Sequence, residues 1–277
     1  MSRGSRAYRS RPLHVRLHAP GFIQTPHPLR NAVRRVIGAP NFLRRLQFRP
    51  TLELLRPVSN GPIRLLEIGC GQGWMSLEAA GVGFDTVGID PQGHPGWPTL
   101  QHGKVRFLRA DGTQLPFAGG AFDRVLMLSV VQMLPDPLAL LRECGRVLAD
   151  SPAARLIFSV PGPYPHLLES MPAEELRERM RSLFRTPGRI WYDREELEVL
   201  LQQGNFRIVE CRQSPGPTAA GVWQQALIQA LKAGREPSLK ALFYRHYPRL
   251  WWDRGSECGA HTPGWGGEWL IAAEPVR

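Results

Sequence analysis

The sequence predicts an α/β chain: a doubly wound, mostly parallel sheet covered on both faces, preceded by a helical arm and carrying a helical insert near its end. Three observations predict it. Short apolar runs alternate with helical stretches from residue 63 to 160. The first run ends in Gly69-Cys70-Gly71-Gln72-Gly73, a strand–turn–helix junction. The next runs end in acidic residues, Asp90 and Asp111.

The elements follow in order. Residues 1–28 mix Arg and Ser with Pro12, Pro20, Pro26 and Pro28 and show no period. From Leu29, two short basic amphipathic helices are expected. Leu29, Val33, Val36 and Ile37 share one face, Pro40 interrupts, and Phe42, Leu43 and Leu46 resume it. Pro57–Pro62 is a turn-rich linker, so the arm is expected over 1–56 and the sheet domain over 57–277.

Strands are expected at Ile63–Ile68, Thr86–Ile89, Val105–Leu108, Val125–Leu128 and Arg155–Val160. Trp74–Ala80 and Pro137 to about Leu148 read as helices between them. Ala173–Leu183 and Asp193–Gln203 read as further helices, the second with Asp193 and Glu196 as a capping box and Gly204 as its stop. Phe206–Val209 and Glu268–Ala273 read as the last strands. Residues 214–265 are long for a connection and aromatic-rich, with Trp223, Phe243, Tyr244, Tyr247, Trp251, Trp252 and Trp265. Such a stretch reads as a lid.

Composition sets outer limits. The 277 residues are 43% hydrophobic, enough for a real core, and 21% charged. No run of 18 apolar residues and no N-terminal apolar region occurs, so neither a membrane-spanning helix nor a secretory signal is expected. Cys70, Cys144, Cys211 and Cys258 lack metal-ligand spacing and read as unpaired thiols of a reducing cytosol. No metal site is expected.

The net charge of +11 is lopsided. Residues 1–50 hold 11 arginines and no acid, and the rest holds 24 basic and 24 acidic side chains. The arm can be read as a contact to nucleic-acid phosphate, a dock for an anionic membrane, an organelle transit segment, or a solvated tail ahead of a covering helix. Among partners, the interleaving of Arg with Leu, Val, Ile and Phe over residues 29–50 favours a membrane surface or lipid-linked molecule over nucleic acid. The chain is expected in the cytoplasm, peripheral to a membrane at most.

The strand-end residues point to a ligand. Glycines at 69, 71 and 73 let the chain turn sharply and expose bare backbone. Trp74 stands where a dinucleotide fingerprint has its third glycine, which favours an adenosyl ligand over a pyrophosphate. Asp90 suits a pair of ribose hydroxyls, and Asp111 suits an exocyclic amine of adenine.

These residues carry a family resemblance over Leu65–Val160, about a third of the chain. LLEIGCGQG, GID, ADGTQLPFAGGAFDRV, LALLRECGRVL and the closing WGGEWLIAAEPVR resemble class I S-adenosylmethionine-dependent methyltransferases. The branch is the broad one that includes the ubiquinone and menaquinone biosynthesis enzymes. The resemblance implies a seven-stranded Rossmann-like sheet of order 3-2-1-4-5-7-6, S-adenosylmethionine as cofactor, and methyl transfer. It places Gly69, Gly71 and Gly73 against the methionine and ribose. It sets Glu67 near the amino group or the glycine loop, and Asp90 on the ribose. Asp111 and Gly112 fall on adenine, and the backbone near Leu128 and Ser129 on the methionyl group.

The sequence departs from the family after the fourth strand, where Gln132-Met133 replaces Glu-His. Met133 takes no proton, so a base is sought elsewhere: Tyr164, His166, Tyr192 and His246 are the candidates. The loop Ala149–Pro152 lacks the usual Gly-Gly. No Asn/Asp-Pro-Pro-Tyr/Phe, no Pro-Cys and no carboxylate trio appears, which disfavours amino-group, cytosine-C5 and metal-dependent catechol chemistry. The expected acceptor is a small or lipid-linked biosynthetic intermediate, methylated at oxygen. The rivals are an RNA methyltransferase using the arm and a non-catalytic scaffold of the same fold.

Overall fold

The computed structural model describes residues 42–55, 62–101, 103–214, 216–234 and 267–276. Seven strands form one sheet: β1 (Arg64–Ile68), β2 (Asp85–Ile89), β3 (Val105–Leu108), β4 (Arg124–Leu128), β5 (Arg155–Pro161), β6 (Phe206–Ser214) and β7 (Glu268–Pro275). Their order is β3-β2-β1-β4-β5-β7-β6, as the resemblance implies. The first five are parallel, and β7 runs antiparallel to both β5 and β6. The carboxyl ends of β1 to β5 and the start of β7 therefore share one edge.

Alternating side chains sort the strands into two layers. Leu65, Leu126, Ile157 and Leu270 face one side, with α1 (Phe42–Leu55), α2 (Trp74–Gly81) and α3 (Trp97–Leu100) packed on it. Leu66, Val125, Met127, Leu156, Phe158 and Ile271 face the other, under α4 (Pro137–Val147) and α7 (Arg194–Gln203). Asp136 caps α4 by accepting from the Leu138 N–H. Asp193 and Glu196 close the expected capping box on α7.

A smaller apolar cluster lies beyond the carboxyl ends. It joins α5 (Pro165–Leu168), α6 (Ala173–Phe184) and α8 (Pro217–Ala233) through Tyr164, Leu167, Leu176, Met180, Trp191 and Leu227. Helix α8 opens the insert expected at 214–265; of the rest of that insert, residues 235–265 lie outside the described residues.

Two elements differ from expectation. Strand β6 runs to Ser214 rather than Val209, because β7 supplies a full ladder that resumes after a bulge at Ile208/Glu210. Charged Glu210 and Arg212 on an edge strand hide that continuation from hydrophobic patterning. Helix α1 continues through Pro50 to Leu55, and its inner face is core: Phe48, Leu52, Leu54 and Leu55 are buried against the sheet and α2. The first expected arm helix, around Leu29–Ile37, lies outside the described residues.

Candidate active site

The site is built on the edge where β1 to β5 end. Gly69, Gly71 and Gly73 all have positive φ, which is why three alternate glycines follow β1. Two of them show different needs. A methyl group on Gly73 would overlap the Phe107 ring, so this glycine lets β3's aromatic fill the space under the turn. A methyl group on Gly71 would meet nothing within 4 Å, so its bare face opens outward. Trp97, stacked on Phe107 at 5.3 Å, donates its indole N–H to the Gly71 carbonyl at 3.0 Å and pins the turn.

Asp90 stands at the tip of β2 beside this turn. One carboxylate oxygen accepts the Gly71 N–H at 3.1 Å and the other accepts the Gln92 N–H at 3.0 Å. A carboxylate oxygen has two acceptor sites, so each can take a further hydroxyl. Asp111 ends the turn after β3 exposed, with Oδ1 accepting from the Thr113 N–H and hydroxyl, both at 2.9 Å. Its second oxygen takes no part in that turn. Gly112 packs against Ile68 and Leu140 too closely to carry a side chain.

Glu67, in the middle of the crevice floor, is buried and accepts from the Ser76 hydroxyl on α2. Burial pushes its carboxyl up to about 7, against the pull of Ser76 and of nearby Arg44. It ties β1 to α2. Leu128 is half-buried at the end of β4, and Ser129 follows with φ of 57°, a strained conformation for a residue with a side chain. The Ser129 N–H is held by the Ser159 carbonyl at 3.0 Å and the Ser159 hydroxyl at 3.1 Å.

The expected bases separate. Tyr164 is buried beyond β5, edge-on to Trp191, and burial together with the Glu268 charge pushes its phenol up. Tyr192 is buried under the Arg189 guanidinium, with its phenol also raised by burial. Neither is an efficient base near neutrality. His166 lies in α5, but its side chain is outside the described residues, as is all of His246.

Three residues that the sequence left unmarked join the site. Glu268, the first residue of β7, accepts from the Ser129 hydroxyl, 3.0 Å from both oxygens, and from the Ser159 hydroxyl at 2.7 Å. Arg44 of α1 donates to the Ser129 hydroxyl at 2.9 Å and lies 3.8 Å from Glu268. The only sequence signal for this group was polarity inside otherwise apolar strands, at Ser159 and at the head of β7. Arg45 and Arg49 turn to Glu78 and Glu53.

The geometry fits an adenosyl ligand: bare backbone at Gly71, open acceptor sites on Asp90, and the Asp111 turn lie along neighbouring strand ends. Among the described residues there is no cluster of three or more metal-ligating side chains. A family model described as a methyltransferase domain matches residues 41–211, more than half of the chain. The chain belongs to the methyltransferase domain family.

The likeness to individual proteins is more local. An uncharacterized methyltransferase of Mycobacterium sp. (strain JLS) is 38% identical over 99 residues, 35% of this chain and 38% of that protein. A ubiquinone biosynthesis O-methyltransferase of Cereibacter sphaeroides is 37% identical over 103 residues, 35% of this chain and 41% of that one. The chain thus spans about two fifths of the length of these curated relatives. A solved geranyl diphosphate C-methyltransferase from Streptomyces coelicolor A3(2), in complex with Mg2+, geranyl diphosphate and S-adenosyl-L-homocysteine, shares the fold. It matches with a TM-score of 0.58 at 16% identity, over 92% of this methyltransferase-family chain and 87% of that one.

Proposed function

We propose that this protein is an S-adenosylmethionine-dependent methyltransferase that methylates an oxygen of a small or lipid-linked biosynthetic intermediate. The observation that carries the reading is the alignment of Gly71, Asp90 and the Asp111 turn along adjacent strand ends, with Asp90 still able to accept two hydroxyls. The cofactor, when bound, supplies a methyl carbon already activated on a sulfonium. The protein's task is then alignment and exclusion of water. Asp90 holds the ribose, the Asp111 turn orients adenine, and the Gly71 backbone lets the ligand lie close. Leu46 of α1 packs against Ala219 and Val222 of α8.

Oxygen as the target is supported by the Cereibacter relative, named for O-methylation in ubiquinone biosynthesis. That name also supports a quinone-like acceptor. The arm favours this over RNA. Arg44, Arg45 and Arg49, which a nucleic-acid reading would send to phosphates, face Glu268, Glu78 and Glu53 instead. The membrane contact proposed through residues 29–50 has Arg44, Arg45 and Arg49 turned to carboxylates of the same chain. No helix among the described residues is long and apolar enough to cross a membrane.

The test is calorimetric titration with S-adenosylmethionine, S-adenosylhomocysteine and, as control, NAD. Both adenosyl ligands should bind in the micromolar range and NAD should not. Asp90→Ala should weaken both by about a hundredfold or more, the value of two hydrogen bonds to a charged group. Unchanged affinity in a folded Asp90→Ala protein would remove the ribose assignment.

A further inference from the structure

Ser129, Ser159, Arg44 and Glu268 come from four separate elements and meet at one point of the strand-end edge. Because β7 is antiparallel to β5, its first residue lies at the carboxyl ends of β4 and β5. The Glu268 side chain reaches back over β5 to Ser129, directly after β4. That position lies on the opposite side of β1 from Asp90 and β2, with Val130 against Gly69 of the glycine turn, next to where the methionyl end of the cofactor belongs. On its other side stand Tyr164 and the cluster under α5, α6 and α8. From this geometry we infer that Glu268 is the group that accepts the proton of the methyl acceptor, an inference that rests on the methyl-transfer reading above.

Four features support it. The carboxylate is fixed in place by two serine hydroxyls and lies 3.8 Å from the Arg44 guanidinium. Each serine has one hydrogen to give, so two acceptor sites of four are filled and two are left for an incoming O–H or N–H. The side chain is 23% exposed, buried enough to be fixed and open enough to be reached. Ser129 keeps a strained backbone where it donates to this carboxylate.

The charge balance gives the group its purpose. A fixed anion beside a sulfonium stabilises the reactants, since the positive charge vanishes on transfer. It stops opposing the reaction if its own charge vanishes in the same step. The acceptor O–H gives its proton to Glu268, the oxygen forms its bond to the methyl carbon, and the carbon–sulfur bond breaks with its electron pair left on sulfur. A sulfonium and a carboxylate become a thioether and a carboxylic acid.

The test needs no acceptor. Sinefungin carries an amine at the place of the sulfonium and its methyl group, aimed where the acceptor would stand. The full chain is titrated with sinefungin and with S-adenosylhomocysteine. Sinefungin should bind about tenfold tighter than S-adenosylhomocysteine, through its ammonium and the Glu268 carboxylate. Glu268→Gln should reduce that ratio to about one, as expected for loss of a charged hydrogen-bond partner. Should Glu268→Gln fail to fold, Glu268→Asp keeps the charge, withdraws it by one methylene, and should also collapse the ratio. A ratio unchanged in a variant that still binds S-adenosylhomocysteine overturns the inference alone. A wild-type protein that binds neither ligand overturns the methyl-transfer reading and this inference with it.

Discussion

Glu67 is a residue whose environment brings its titration close to neutrality. Burial at the crevice floor raises its carboxyl to about 7 from an ordinary 4.5. A raised folded-state value means that folding favours the protonated form. The contribution to stability is complete below about pH 4.5 and is lost as pH rises through about 7. Glu67→Gln removes the penalty, so its stability advantage over wild type should grow by roughly 3 kcal/mol between pH 5 and pH 8, measured by urea unfolding. An advantage that does not change with pH would place the titration elsewhere. Two glycines make a contrasting pair. Gly71→Ala should fold at a cost of about 1–2 kcal/mol for its left-handed backbone, yet weaken adenosyl binding by projecting a methyl group into the open face. Gly73→Ala should cost far more, because Phe107 would have to move. Equal losses in both would show that the turn, not the ligand, requires Gly71. The glycines and both aspartates were legible because strand-end chemistry uses few residue types at fixed spacing. Glu268 was not legible, since one acid at the head of a strand carries no spacing at all.

At the scale of the element, helix α1 changes meaning between sequence and structure. Its arginines suggested a surface for anionic partners. Folded, it buries Phe48 at 2% exposure and turns Arg44 and Arg45 to carboxylates of the same chain. Phe48→Ala should therefore cost about 3–5 kcal/mol. Arg49→Ala, with its side chain 53% exposed and paired only on the surface, should stay within about 0.5 kcal/mol. Denaturant midpoints of the two variants check this, and similar midpoints would mean that α1 is a tail rather than core. The α7 capping box was readable because both partners lie within one turn of sequence. The second half of β6 was not, because its pairing with β7 is set by residues more than fifty positions away.

At the scale of the molecule, ligand binding and folding should be linked, since the site draws on β1, β2, β3, β4, β5 and β7 at once. S-adenosylhomocysteine at a hundred times its dissociation constant should add about 2.7 kcal/mol of stability and raise the melting temperature by several degrees. NAD at the same concentration should leave it unchanged. Equal stabilisation by both would mean that the crevice reads adenosine and not the amino-acid end, and would detach the backbone near Leu128 and Ser129 from binding.

The alternation of strands and helices, the glycine turn and the acidic strand ends are all written locally in the chain. These are local patterns, fixed by side-chain period, backbone freedom and charge at a chain reversal. The antiparallel return of β7, with the convergence it creates, was decided by the tertiary structure. Strand order brings residue 268 beside residues 129 and 159, and helix packing brings residue 44 to the same place. Contacts across such separations depend on how the layers stack, and no local pattern in the chain records them.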